Sequence, residues 1–194
     1  MRTHSINRQT TETKIDLTFT IDGSGKSAIN TGIGFFDHML TLMSKHGLFD
    51  LQVNVEGDLE VDFHHTVEDT GICLGQAIKA ALGDAKGIKR YASQAIPMDE
   101  TLCQLALDIS NRPFLHFETP EMKAKVGEFD TELADEFFRA VSQHAGLSLH
   151  IDVIRGRNSH HVIESIFKAF GVVLDIATQK DPRRHDVPST KGCL

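Results

Sequence analysis

The sequence is poor in several residue types: its 194 residues include no tryptophan, one tyrosine, five prolines and three cysteines. The cysteines, at positions 73, 103 and 193, are odd in number and widely spaced, which argues against a disulfide framework or a cysteine-bound zinc. No apolar run approaches the roughly 18 residues that cross a bilayer. The polar start from Met1 to Lys14 does not resemble a signal peptide, so we expect a cytoplasmic protein that does not enter membranes.

Positive charge is also scarce, because 20 lysines and arginines face 27 acidic residues and leave a net charge of −7. This balance argues against general binding to nucleic acids or anionic membranes. The hydrophobic content of 40% is ordinary for a globular protein. A chain of this length can form one large domain or two small packed ones.

Histidine, in contrast, is abundant, and it occurs in a repeated motif. His64-His65-x-x-Glu68 recurs as His160-His161-x-x-Glu164. On a helix, residues four apart share a face, whereas adjacent residues point about 100° apart. The first histidine and the glutamate of each motif can therefore bind one ion, while the second histidine can reach another. Imidazole and carboxylate together suit divalent ions such as Mn, Fe, Co, Ni or Zn.

The motif belongs to a longer internal repeat. Strict alternation of apolar and polar residues predicts strands at 14–21, 48–55, 102–109 and 147–153. Helical periodicity predicts helices ending near residue 47, from His64 to about Leu82, from Leu133 to Val141, and from the second motif to about Thr178. We predict an α+β fold of two similar halves, 1–92 and 93–180, each a small sheet with helices on one face, related by a pseudo-twofold axis.

The repeat also aligns Asp37-His38 with Asp135-Glu136, so a third metal ligand in the first half becomes a carboxylate in the second. The C-terminal segment 181–194 is a proline-broken basic loop that contains Ser189, Thr190 and Lys191. Such a loop can bind phosphate through its backbone amides, hydroxyls and cations, or it can be a frayed chain end. The sequence leaves both interpretations open.

Six segments, in this order, resemble the imidazoleglycerol-phosphate dehydratase family: Gly34-Phe35-Phe36-Asp37-His38-Met39-Leu40, 62–69, 159–164, Phe167-Lys168-Ala169-Phe170, Asp181-Pro182-Arg183-Arg184, and Pro188-Ser189-Thr190-Lys191-Gly192. The resemblance implies a manganese-dependent hydro-lyase of histidine biosynthesis that converts D-erythro-imidazole glycerol phosphate to imidazole acetol phosphate. It also implies a homo-oligomer of twenty-four subunits built from trimers, with active sites at subunit interfaces.

The resemblance further assigns residues to roles. Two Mn²⁺ ions per site would be held by His38, His64, His65, Glu68, Glu136, His160, His161 and Glu164. The catalytic carboxylates would be Glu12, Glu68 and Glu164. The phosphorylated imidazole substrate would be bound by Glu12, Arg90, Arg112, Lys168, Ser189, Thr190 and Lys191.

The expected chemistry must remove a proton from a carbon beside imidazole, where no carbonyl stabilises the carbanion. Two metals solve this problem by holding the ring as imidazolate, which expels the C3 hydroxyl and leaves a diazafulvene-like intermediate with an acidic C2 proton. Glu12 would then shuttle protons. Two alternatives use the same ligands: a dinuclear metallohydrolase acting on a phosphate ester, and a metal-buffering cage without turnover.

Overall fold

A computed structural model describes all residues from 1 to 194 and contains two four-stranded sheets, a two-stranded hairpin and four helices. In the first half the elements are β1 (Thr3–Gln9), β2 (Thr13–Thr20), β3 (Ser27–Asn30), α1 (Gly34–Gly47), β4 (Asp50–Gly57) and α2 (His64–Leu82). The remainder contains β5 (Tyr91–Met98), β6 (Thr101–Ile109), β7 (Phe114–Glu118), β8 (Lys125–Val126), β9 (Phe129–Asp130), α3 (Leu133–Ala145), β10 (Leu147–Arg155) and α4 (Ser159–Thr178).

The two large sheets have the same topology. Their strand orders are β1-β2-β4-β3 and β5-β6-β10-β7, and in each the last pairing, β3 with β4 or β7 with β10, is parallel while the others are antiparallel. A helix precedes and follows the corresponding strands β4 and β10. This order confirms the predicted α+β fold of two similar halves. The β8–β9 hairpin is an insertion that only the second half carries.

The four helices are packed together and against the sheets. Helix α2 lies on β1 and β2, and α4 lies on β5 and β6, while α2 also packs against α3 and α1 against α4. Inward-facing residues of β2, such as Ile15, Leu17 and Phe19, are fully or almost fully buried. A single core of 46 buried residues runs through both halves. The halves therefore stabilise one another and share one hydrophobic core.

Glycines allow the helices of opposite halves to approach closely. A methyl group on Gly75 of α2 would lie 2.8 Å from Cβ of His144 in α3, and one on Gly171 of α4 would overlap the carbonyl oxygen of Met43 in α1. Gly75 and Gly171 occupy equivalent places in the repeat. The same small residue thus brings each metal-motif helix against a helix of the other half.

The C-terminal segment is held against the loop between α2 and β5. The Asp181 amide donates to the Gly87 carbonyl at 2.8 Å, and the Gly87 amide donates to the Asp186 carbonyl at 2.9 Å. This pairing favours an ordered loop over a frayed end. Among the helices, none combines the length and apolarity that a bilayer crossing needs.

Candidate active site

Three predicted metal ligands from two helices converge in one place, which we call the Glu164 cluster: His38 of α1 with His160 and Glu164 of α4. Their ligand atoms all lie within 4.8 Å of one another. Oε2 of Glu164 is 3.1 Å from Nε2 of His160 and 3.8 Å from Nε2 of His38. The close packing of α1 on α4 brings His38 to the motif, because it lies in the first turns of its helix. The cluster offers two imidazoles and a carboxylate.

Lys168 places a positive charge beside the Glu164 cluster. One turn along α4, its Nζ lies 2.5 Å from Oε1 of Glu164 and 3.3 Å from Sδ of Met98. Burial alone would raise the pKa of Glu164, but the contacts with Lys168 and His160 outweigh it and lower that pKa. Glu164 is therefore a carboxylate at neutral pH. Its Oε1 faces the ammonium, and its Oε2 faces the two imidazoles.

The glutamate of the first motif has fewer neighbouring donor groups and is more exposed than Glu164. Nε2 of His64 is 3.8 Å from Oε2 of Glu68, and both side chains are more than 40% exposed. Glu136, predicted as a further ligand, lies in the first turn of α3, and its carboxylate is not grouped with other donors. The structure of one chain thus places His64 beside Glu68 but does not bring Glu136 to a cluster.

The second histidine of each motif turns away from the first, as the helical spacing predicts. Nδ1 of His65 lies 2.9 Å from Oδ2 of Asp58, and its Nε2 is 3.9 Å from Oε1 of Glu12. Nδ1 of His161 lies 2.8 Å from Oε2 of Glu100. The bond to Asp58 raises the pKa of His65, since the carboxylate favours the charged ring. In both rings Nδ1 is hydrogen-bonded, and Nε2 lies about 4 Å from a second carboxylate, that of Glu12 for His65 and that of Asp99 for His161.

The predicted phosphate-binding residues surround a separate cavity of about 640 Å³. Its lining comprises Arg90, Tyr91, Arg112, Arg184, Asp186, Val187, Pro188, Ser189, Thr190 and Lys191. Of the residues predicted to bind substrate, five line this cavity: Arg90, Arg112, Ser189, Thr190 and Lys191. Glu12 does not line it, and Lys168 lies beside the Glu164 cluster. Four cationic side chains line this cavity, Arg90, Arg112, Arg184 and Lys191, and such cations suit a phosphate.

Arg90 holds the cavity in shape. Its Nε and Nη2 donate to the two carboxylate oxygens of Asp108 at 2.7 and 3.1 Å, and its Nη1 donates to the Pro188 carbonyl at 2.8 Å. The pairing with Asp108 raises the pKa of Arg90, whose side chain is only 9% exposed. Arg90 therefore anchors the C-terminal loop to β6. Such buried bidentate pairs fix geometry as well as charge.

The predicted metal ligands and the predicted phosphate-binding cations do not line the same cavity within one chain. His160 and His161 line a second cavity of about 610 Å³ together with Glu100, Lys123, Lys125, Val126, Arg157, Asn158 and Ser159. No residue lines both cavities. A substrate that needs both a metal pair and a phosphate site must therefore use surfaces that one chain keeps apart.

Comparison with known proteins decides the family. A model of the imidazoleglycerol-phosphate dehydratase family matches residues 31–174, which include both histidine motifs. The chain belongs to the imidazoleglycerol-phosphate dehydratase family. This family membership makes it a lyase of histidine biosynthesis, and it confirms the family that the sequence motifs indicate.

Relatives in the imidazoleglycerol-phosphate dehydratase family match over nearly the whole length. The dehydratase of Acetivibrio thermocellus is 58% identical over 193 residues and that of Clostridium acetobutylicum 56%, with 100% of this chain covered and 99% and 98% of the relatives. The crystal structure of the Staphylococcus aureus dehydratase has a TM-score of 0.84 at 45% identity, covering 92% of this chain and 99% of that one. The Pyrococcus furiosus structure, in complex with (S)-C348, has a TM-score of 0.83 at 32% identity, covering 97% and 100%.

Sequence reasoning missed three residues of the candidate site: Asp58 and Glu100, which contact the second histidines, and Arg184, which lines the phosphate cavity. The repeat carried a signal for Glu100. Thr13 and Thr101 begin the equivalent strands β2 and β6, so Glu100 immediately precedes β6 as Glu12 precedes β2. Asp58 had no such signal, because Gly156 follows the equivalent strand β10.

Proposed function

We propose that the protein catalyses the Mn²⁺-dependent dehydration of D-erythro-imidazole glycerol phosphate to imidazole acetol phosphate. The observation that carries the proposal is the convergence of His38, His160 and Glu164 from two helices, in a chain of this family. The donor set fits the metal, because imidazole nitrogens and carboxylate oxygens suit Mn²⁺ and related divalent ions, and neither motif contains a cysteine. The three thiols are unpaired, which suits the reducing cytoplasm where we expect the enzyme.

Two ions would be held by the histidines and glutamates of the two motifs together with His38. The Glu164 cluster supplies three donors, His64 and Glu68 supply two, and His65 and His161 each offer one nitrogen. Glu136 stays a prediction, since its carboxylate is not grouped with these donors within one chain. When bound, the ions would supply Lewis acidity toward the imidazole ring and the leaving hydroxyl.

The chain's own residues position the substrate and move its protons. Glu12 is half exposed and its carboxylate lies within 4 Å of His65, so it can approach a substrate bound beside that histidine. It acts as general acid and base, taking the carbon-bound proton of the diazafulvene-like intermediate. Arg112, Ser189, Thr190 and Lys191 bind the phosphate, and Arg90 fixes the loop that carries three of them. This remote binding energy orients the reacting carbon.

The separation of the two cavities supports a homo-oligomer with shared sites. A neighbouring chain that presents its phosphate cavity to the Glu164 cluster completes a site that neither chain holds alone. Lys168 then faces the substrate from the metal side, while Arg112 and Lys191 face it from the other chain. The expected assembly is the twenty-four-subunit particle built from trimers, and analytical ultracentrifugation of the Mn-loaded protein measures it.

The test is direct. Mn-loaded protein is incubated with imidazole glycerol phosphate, the ultraviolet absorbance of the product in base is followed, and a chelated sample serves as control. We expect metal-dependent product with the phosphate retained. Release of inorganic phosphate would instead identify a metallohydrolase, and bound metal without turnover would identify a metal-buffering protein. Either result would refute the proposal.

A further inference from the structure

We propose that Asp58 and Glu100 are positioning residues that fix the rings of His65 and His161 and thereby present Nε2 of each ring to a divalent ion. The inference rests on the proposed function, since it concerns the metal that this function requires. Neither residue carries a ligand in the Glu164 cluster or lines the phosphate cavity. Each instead accepts a hydrogen bond from Nδ1 of its histidine ring, at 2.9 Å for Asp58 and 2.8 Å for Glu100.

Glu100 is held in place from several directions. It accepts from the Asn158 amide at 2.9 Å and from the Arg157 amide at 3.2 Å through Oε1, and from Nδ1 of His161 through Oε2. A carboxylate fixed by two backbone amides cannot rotate freely, so the ring it binds is also fixed. The Nδ1–H bond selects one tautomer and leaves the lone pair of Nε2 available to a metal.

Asp58 performs the same task in the first half from a different place in the chain. Its amide donates to the Glu12 carbonyl at 3.1 Å, which anchors it beside the β1–β2 turn, and its Oδ2 accepts from Nδ1 of His65. The carboxylate is 20% exposed and the ring 34%. The bond therefore lies at the edge of the site, where Nε2 can meet an ion.

The repeat does not by itself produce this pair of contacts. Asp58 follows β4, but Gly156 follows the equivalent strand β10, and a methyl there would lie 2.8 Å from Oγ1 of Thr101 and 2.7 Å from Cγ2 of Val162. Glu100 precedes β6, and its counterpart before β2 is Glu12. Two different sequence positions thus provide the same carboxylate–imidazole contact. A requirement on the histidines explains the coincidence, since ligand histidines generally need such a partner.

The experiment measures Mn²⁺ affinity of the full chain, by the electron paramagnetic resonance signal of free Mn²⁺ during titration. The variants are Asp58→Ala, Glu100→Ala, Asp58→Asn and Glu100→Gln. The control is Glu56→Gln, which removes an exposed carboxylate that pairs only with Lys14, at 3.7 Å. Unfolding by urea in the presence of chelator reports any purely structural effect.

We expect each alanine variant to lose about 10- to 100-fold in Mn²⁺ affinity, at an unfolding midpoint close to that of the wild type. The amide variants keep an acceptor but lose the charge, so their affinity should be intermediate, and Glu56→Gln should match the wild type. If an alanine variant does not fold, the Mn²⁺ affinity of the corresponding amide variant tests the positioning role instead.

Affinities within twofold of a Mn-binding wild type would overturn the positioning role and leave the proposed function standing. A wild type that binds no Mn²⁺ would refute the proposed function, and the inference with it. The two failures are therefore distinguishable in one titration series.

Discussion

The two halves share a topology, but the surroundings of their histidine motifs differ. In the second half Glu164 is 8% exposed and contacts His160, His38 and Lys168. In the first half Glu68 is 45% exposed and contacts only His64, at 3.8 Å. The position equivalent to Lys168 is Ile72, which has no charge. A repeat thus preserves the fold and the ligand types while it changes the surroundings that hold each ligand.

In the second half the cation Lys168 lies on the motif helix and contacts the motif glutamate. In the first half a cation lies on a strand instead, and it contacts a carboxylate other than the motif glutamate. Arg8 of β1 pairs with Asp69, and Thr13 donates to the same oxygen. Asp69 is buried, so this pair fixes the turn that carries Glu12 rather than a metal ligand. The first half therefore fixes the turn that carries an exposed carboxylate, Glu12, whereas the second half fixes a buried one, Glu164.

Replacing Glu12 tests this division of labour most strongly. Glu12→Gln removes the acid–base group without removing a metal ligand, so we expect kcat to fall by roughly 10²- to 10⁴-fold. Mn²⁺ affinity and KM should stay near their wild-type values. Steady-state kinetics and a Mn²⁺ titration measure both. An unchanged kcat would exclude Glu12 from the mechanism.

The helix contacts between halves should also differ in strength. Gly171→Ala places a methyl group against a backbone oxygen of Met43, which cannot move aside as a side chain can. We expect it to lower the free energy of unfolding by about 3 kcal/mol, because the methyl would lie only 2.4 Å from that oxygen. Gly75→Ala should cost less, about 2 kcal/mol, because its nearest neighbours, Cβ of His144 and the Val141 carbonyl oxygen, lie at 2.8 and 2.9 Å. Gly34→Ala is the control, because nothing lies within 4 Å of its added methyl. Urea unfolding of metal-free protein measures all three, and equal losses would contradict the comparison.

Much of this architecture follows from the sequence. The strands β2, β4, β6 and β10 were predictable because one face of each is buried in the core, so their apolar residues alternate. The outer strands β1, β3 and β5 are mostly exposed and therefore lack that alternation. Their existence depends on pairing with a neighbour, which a local pattern does not encode.

The candidate site was likewise predictable only where its contacts are local in the sequence. The i, i+4 pairs on α2 and α4 follow from helical geometry and could be predicted from spacing alone. The approach of His38 to Glu164 depends on how closely α1 packs on α4, which the glycines permit but no local pattern reports. Likewise, Arg90 was predicted to bind substrate, but its buried pairing with Asp108 and Pro188 is a tertiary contact.

Substituting the two motif glutamates one at a time should change the unfolding free energy of the metal-free protein by different amounts. Glu164→Gln leaves the ammonium of Lys168, 17% exposed, without its charged partner, so we expect a loss of about 2 kcal/mol in unfolding free energy. Glu68→Gln should change it by less than about 0.5 kcal/mol, because its environment is solvent. Chemical unfolding with chelator present gives both values. Similar losses in the two variants would show that the halves hold their glutamates equally well.

The smallest expected difference concerns two arginine pairs at the starts of the outer strands. Arg2, just before β1, donates to both carboxylate oxygens of Asp22 and to the Thr178 carbonyl. In the same way Arg90, just before β5, donates to Asp108 and to the Pro188 carbonyl. The hydrogen bond from Arg2 lowers the pKa of Asp22 from 3.8 to about 2. A lowered pKa means that the folded state favours the carboxylate, so this stability is present above about pH 4 and is lost as the pH falls towards 2.

Because the Asp22 side chain is 42% exposed, solvent screens the pair, and Asp22→Asn should lower the unfolding free energy at pH 7 by less than about 1 kcal/mol. That difference from the wild type should be nearly the same at pH 7 and pH 5 and should begin to shrink at pH 3, because the carboxyl of the unfolded chain takes up its proton near pH 3.8. Asp108→Asn is the matched variant, and it should lose more at pH 7 because Arg90 is only 9% exposed. Urea unfolding at pH 7, 5 and 3 measures both series. A larger loss of unfolding free energy from Asp22→Asn than from Asp108→Asn would contradict this expectation. It would mean that the contacts of Arg2 with Asp22 and the end of α4 stabilise the protein more than the buried pair of Arg90 and Asp108.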